Sequence, residues 1–131
     1  MIENKYILDA LSTLKVNGCQ LSGHPTKESE FLSMYSEKTG VDSTNTMILS
    51  SDPKDFSVTW KQVSEKAKEI EDAEPLQQLR QVRNNILAET DWMTFADSPT
   101  MSDAWKTYRQ KLRDITKSAT SLEDVTWPEK P

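Results

Sequence analysis

Two residue types able to do nucleophilic or metal chemistry occur once each, as Cys19 and His24. Their spacing could bring a thiol to an imidazole. Nucleophilic catalysis also needs a third group to orient the base, and no such group or glycine-rich turn accompanies them. Two ligands do not close a structural zinc site either. The pair reads as a small buried thiol and a turn histidine. Three glycines are too few for a phosphate-cradling loop. The acidic residues fall on helix faces that read as solvent-exposed, where carboxylates keep their ordinary acidity. The sequence therefore predicts no catalytic residue, no cofactor and no metal site: a protein that is not an enzyme.

The arginines and tryptophans of the last third offer a different chemistry. Arg109 and Arg113 stand four apart and flank a stripe of Trp105, Tyr108 and Leu112, and Arg83 lies on the preceding segment. Asp91, Asp97 and Asp114 are the carboxylates within reach in sequence. A planar guanidinium can bridge two chain segments through paired hydrogen bonds, or lie over an indole ring. The arginines can thus brace a helical hairpin and Trp92, or form a docking surface with exposed tryptophans as anchors. Trp92, Trp105 and Trp127 carry the same two readings, core and anchor.

The elements that must position these residues follow from periodicity. Residues 2–15 place Ile7, Leu11 and Leu14 on one helical face, with Asn17-Gly18 as the stop. Cys19-Gln20-Leu21 alternates like a short strand. Thr26 is the expected N-cap of a second helix, which carries Phe31, Leu32, Met34 and Tyr35 and ends at Thr39-Gly40. Thr46–Ser50 is the clearest strand. Its partner is residues 19–22 or another subunit. From Ser57 onward Trp60, Val63, Ala67 and Ile70 recur at helical spacing. Pro75 then kinks that helix or opens a new one. Leu76, Leu79, Ile86 and Leu87 continue the stripe to Ala88. After a short connection, Thr100 to Asp103 has the form of a capping box, and residues 104–117 form the next helix. Two amphipathic helices joined so closely predict an antiparallel hairpin. Val125 to Pro128 reads as an extended tail whose Trp127 packs on its host.

The predicted fold is α+β and predominantly helical: a small acidic α/β unit (1–56), a connecting amphipathic helix (57–74), and a hairpin module with an extended Trp-Pro tail (75–131). A chain of 131 residues suits one domain or two small units. Only 35% of its residues are hydrophobic, so the core must be thin and rely on aromatic side chains. The net charge of −5 is uneven: residues 1–74 hold eight Lys/Arg against thirteen Asp/Glu, residues 75–131 eight of each. That distribution argues against a phosphate-tracking surface and hence against nucleic acid. Glu3 and Asp9 interrupt the apolar residues of the first segment, which reads as neither signal peptide nor membrane span. A lone cysteine allows no internal disulfide and suits a reducing cytoplasm.

The ordered set Arg83-Asn84, Leu87, Asp91-Trp92, Asp97, Trp105, Tyr108-Arg109, Leu112-Arg113-Asp114-Ile115 and Trp127-Pro128, with Pro131, closely resembles the phage tail assembly chaperone family from about Arg80 to the last residue. The resemblance implies a non-enzymatic protein of a tailed bacteriophage. It implies work in the host cytoplasm during assembly, with other tail, baseplate or tail-fibre proteins as partners and no membrane. The alternative under the same resemblance is a minor structural virion component, in the baseplate or at a tail-fibre attachment point. Whether the protein stays in the virion and whether it forms a homo-oligomer are left open. Residues 1–74 carry no motif of that family and are the expected source of individual specificity.

Overall fold

A computed structural model describes residues 2–14 and 16–131. Among these residues there are four α-helices and one three-stranded antiparallel sheet, so the fold is α+β and predominantly helical. The chain divides into two compact units, Met1–Asp72 and Ala73–Pro131.

In the first unit, α1 (Asn4–Thr13) buries Tyr6, Ile7, Ala10 and Leu11. It ends at the C-cap Leu14, before the predicted Asn17-Gly18 stop. Lys15, the last residue of the predicted helix, lies outside the described residues. Gly18 has φ +101, and a Cβ there would come within 3.1 Å of Lys38 and Met47. Both the backbone and the space at that corner therefore require glycine.

β1 (Cys19–Leu21) and β3 (Met47–Ser50) form where expected, but they do not pair with each other. Between them lies β2 (Tyr35–Val41), antiparallel to both. This corrects the predicted second helix. α2 spans only Glu28–Met34, and the backbone turns extended at Tyr35 with φ −100 and ψ 139. The misreading has a physical cause. Phe31 and Tyr35, spaced i, i+4, do stack with ring centroids 4.6 Å apart, but across a helix–strand junction instead of along a helix. Beyond Tyr35 the burial alternates, with Tyr35 and Glu37 inside, which is the period of a strand. The predicted cap also shifts. Lys27 holds the N-cap position without a side-chain bond, while the Thr26 hydroxyl donates to the Glu30 carboxylate at 2.6 Å. The β2–β3 turn is organised by Asp42, which accepts from the backbone N–H of Thr44 and of Thr46, and by Asn45 at φ 64. These bonds hold the Asp42 carboxyl below the usual carboxylate range, the Thr44 hydroxyl contributing most.

The first core gathers Ile7, Ala10, Leu11, Phe31, Tyr35, Val63 and Ala67, all nearly inaccessible. Phe56 stands edge-on to Tyr35 at 4.7 Å, and Trp60 leans on Phe31 at 5.5 Å. Each such side chain, fully buried, contributes about 1.5–3 kcal/mol. One carboxylate is buried among them. Glu37 accepts from the Tyr35 hydroxyl at 2.9 Å, from the Ser57 backbone N–H at 2.9 Å and from the Ser57 hydroxyl. It therefore ties β2 to the segment that leads into α3 (Trp60–Ala88). An acidic residue inside the core departs from the predicted exposure of every carboxylate. It is tolerated because hydrogen bonds replace its hydration. Burial, together with the Glu37 hydrogen bond and charge, pushes the Tyr35 phenol far above its ordinary value. Cys19, opposite Glu37 in the sheet, is pushed up by burial first and by the Glu37 charge second.

α3 opens on a capping box at Thr59 and Gln62, three residues into the predicted helix. The Thr59 hydroxyl accepts from Gln62 N–H at 3.2 Å, and Gln62 Oε1 accepts from Thr59 N–H at 2.9 Å. The helix continues through Pro75 to Ala88 and so passes from the first unit into the second. Of the two readings of Pro75, a new helix is therefore excluded. The second unit continues with a 3-10 turn (Asp91–Thr94), α4 (Asp103–Arg113) and a further 3-10 turn (Ile115–Lys117). Its most buried residues are Leu79, Thr90, Tyr108, Arg109, Leu112, Ile115 and Ala119. α4 is capped by Ser102, whose hydroxyl accepts from Trp105 N–H at 3.4 Å. The predicted box at Thr100 is replaced by a cap two residues later.

Candidate docking site

Helix ends leave backbone carbonyls without intrahelical partners. At the end of α3 an arginine from α4 supplies one of the missing donors. Arg109, only 4% exposed, donates from Nη1 to the Leu87 carbonyl at 2.9 Å and to the Thr90 hydroxyl at 2.5 Å. Its Nη2 donates to the Asp91 carboxylate at 2.8 Å. Thr90 is itself buried, and its N–H bonds the same Leu87 carbonyl at 3.1 Å. One guanidinium thus fastens the helix end, the 3-10 turn and α4 together. A lysine could not reproduce this, because its point charge lacks the planar fork. The Asp91 side chain is more than half exposed, so its ion pair is screened. The buried bonds to Leu87 and Thr90 carry the greater weight.

The stripe on α4 divides. Tyr108 and Leu112 are buried and Ile115 follows them inside, whereas Trp105 is half-buried and meets Tyr108 edge-on at 5.7 Å. Trp92 is 51% exposed and Phe95 62%. For Trp92, the core reading is therefore overturned. The 3-10 turn holds its ring outward, beside Met93, Pro99, Met101 and Trp105, which line one shallow cleft with it. A single methionine-and-tryptophan face results, part of it carried by the 3-10 turn whose start Arg109 holds.

The other motif residues are placed as follows. Arg83 is half-buried on α3 and donates from Nε and Nη2 to its neighbour Asn84, so it does not join Arg109. Arg113 is exposed, and its hydrogen bond is a 3.5 Å contact with Gln110. Of the two roles that the sequence leaves open, it does not take the brace. Asp97 is exposed. Asp114 caps α4 and accepts from Gln110 at 3.1 Å, with Lys117 Nζ at 3.0 Å. Those two partners, Gln110 first, hold its carboxyl below the usual range.

Asp124 organises the turn into the tail by accepting from the N–H groups of Thr120 and Ser121, and these bonds lower its carboxyl. The tail then runs back along α4. Trp127 and Pro128 line a cleft with Ile115 and Ser118, while Glu129 to Pro131 lie beside Asp103, Ala104 and Thr107. Lys130 Nζ stands 3.9 Å from Glu89.

Elsewhere, Cys19 is half-buried on β1, and His24 bonds the Ile2 carbonyl at 2.7 Å. Among the described residues no group of three or more His, Cys, Asp or Glu could hold a metal ion. No helix there is long and apolar enough to cross a membrane.

Residues 76–131 match the family model described as phage tail assembly chaperone protein. The similarity to that family is confined to this C-terminal segment. The match begins one residue after Pro75 and takes in the Arg109 clasp, the exposed Trp92 face and the tail, while residues 1–75 lie outside it. No curated protein and no solved structure matches the chain. Thr90, Met93, Phe95 and Met101 were absent from the residues selected from sequence. The signal available for Met93 and Phe95 was two large apolar side chains on either side of Thr94, inside a connection that periodicity treats only as a break.

Proposed function

We propose that this protein is a non-enzymatic assembly factor of a tailed bacteriophage, whose C-terminal module docks onto another tail or tail-fibre protein in the host cytoplasm. The reading rests on one observation above all. Within the segment of the chaperone family, Trp92 and Phe95 are held outward by turns that a buried arginine fixes. Large aromatic side chains lose little conformational entropy on binding, and they dominate interface energetics when they find a pocket. In this reading the motif has two jobs. Leu87, Asp91, Tyr108, Arg109, Leu112 and Ile115 hold the shape, whereas Trp92 and Trp105 make the contact. The acidic first unit, which lies outside the family match, selects the individual partner.

The test is a phage carrying Trp92→Ala with Phe95→Ala, together with mass spectrometry of purified wild-type particles. Defective tails or fibres in the double variant, with the protein absent from mature virions, are the expected result. Normal tails in the variant would refute docking through this face. Stoichiometric peptides in mature particles would replace a transient chaperone by a structural virion component.

A further inference from the structure

We propose that the cleft beside Met93 and Met101 takes an acidic segment of the partner protein, one in which carboxylates stand next to an apolar side chain. This rests on the docking reading above and adds the chemistry of the partner.

Two hollows share Met93 and Met101. The first, under Trp92 and Trp105, is lined without any charged side chain. The second, of about 400 Å³, is lined by Lys106, Arg109 and Arg113, and no carboxylate lines it. Apolar floor and cationic wall are therefore continuous. Arg109 is already paired with Asp91 at 2.8 Å, so the charge left to the wall is that of Lys106, 3.9 Å from the fully exposed Asp103, and of Arg113, which bonds the neutral Gln110 at 3.5 Å and adds a small share to the lowering of Asp114. Arg109 is the clasped member of the wall: its Nη atoms are bonded to Leu87, Thr90 and Asp91, and its Nε–H is shut away from solvent.

A carboxylate is the group that suits the exposed Lys106 and Arg113 on one hollow. An apolar side chain next to it suits the methionine and tryptophan floor. A basic segment would be repelled. A nucleic acid fits poorly, because three cations in one hollow form no backbone-tracking stripe and the chain carries a net charge of −5.

The experiment uses the full chain and a short labelled peptide of alternating Glu and Leu or Phe, with a Lys-for-Glu peptide as its counterpart, read by fluorescence anisotropy. The acidic peptide should bind. Its affinity should fall about tenfold or more in the exposed double variant Lys106→Glu with Arg113→Glu, and also on raising salt. Circular dichroism of the variant should match that of the parent chain, which separates lost binding from lost folding. Failure of the acidic peptide to bind, or equal binding of both peptides, would overturn the proposal. Full displacement by inorganic phosphate would reduce the site to one for a simple anion and also overturn it. Self-association of the chain, abolished by the same charge reversal, would make a second copy the occupant and overturn it likewise. The phage experiment separates the two levels. Defective tails in the Trp92→Ala, Phe95→Ala phage without acidic-peptide binding would sink the acidic chemistry alone. Peptide binding with normal tails would sink the docking reading while the cleft chemistry stood.

Discussion

Arg109 and Arg113 are one helical turn apart on α4 and have opposite roles. Arg109→Met would remove the donor shared by the Leu87 carbonyl and the Thr90 hydroxyl, leaving that carbonyl only its Thr90 partners. The expected loss is about 1–3 kcal/mol in denaturant unfolding, the range for losing buried hydrogen bonds to a charged donor. Arg113→Ala removes an exposed side chain with one long contact, and should change stability by under about 0.5 kcal/mol. Similar losses for the two variants would contradict the clasp. Asp124 behaves differently because it is fully exposed. Its carboxyl is lowered in the folded chain by the Ser121 and Thr120 amides. The contribution of the ionised form is therefore complete above the unfolded value of about 4, and is lost as pH falls through the lower folded value. Trp127 fluorescence should report loosening of the tail on acidification below that range. Asp124→Asn should show the loosened signal already at neutral pH. A pH-independent signal would disconnect Asp124 from the tail.

Pro75 sits inside α3, where it supplies no N–H to the Glu71 carbonyl and crowds the preceding turn. Pro75→Ala restores that bond, and the expected gain is about 1–2 kcal/mol by thermal unfolding, the cost of the proline less its restriction of the unfolded chain. A loss would mean that the helix requires the proline's distortion. The tail is the other element whose value can be read directly. Trp127 is half-buried against α4, so removing residues 124–131 should cost about 1–2 kcal/mol and speed proteolysis of α4. Unchanged protease resistance would show that the tail adds nothing to its host.

The two units carry separate buried groups: the Glu37 network in the first and the Arg109 clasp in the second. Glu37→Ala strands the Ser57 N–H and hydroxyl together with the Tyr35 hydroxyl, at about 2–4 kcal/mol. Hydrogen exchange should rise in residues 2–72 before residues 73–131 respond. Simultaneous loss of protection would mean that the two units unfold as one.

From residue order alone came the helical majority, β1, β3, the stripe on α4 and the likeness of residues 76–131 to the chaperone family. Each rests on a local period, a turn residue or a run of side-chain types, and these are properties of neighbours in the chain. What tertiary structure decided was non-local. Tyr35–Val41 became a strand because β1 and β3 offered backbone partners on both edges. Glu37 went inside because Ser57, twenty positions away, could donate to it. Trp92 was turned outward while Arg109 was buried, although the first is apolar and the second charged. Burial follows where hydrogen-bond partners and packing space meet, and no residue carries that information in its type.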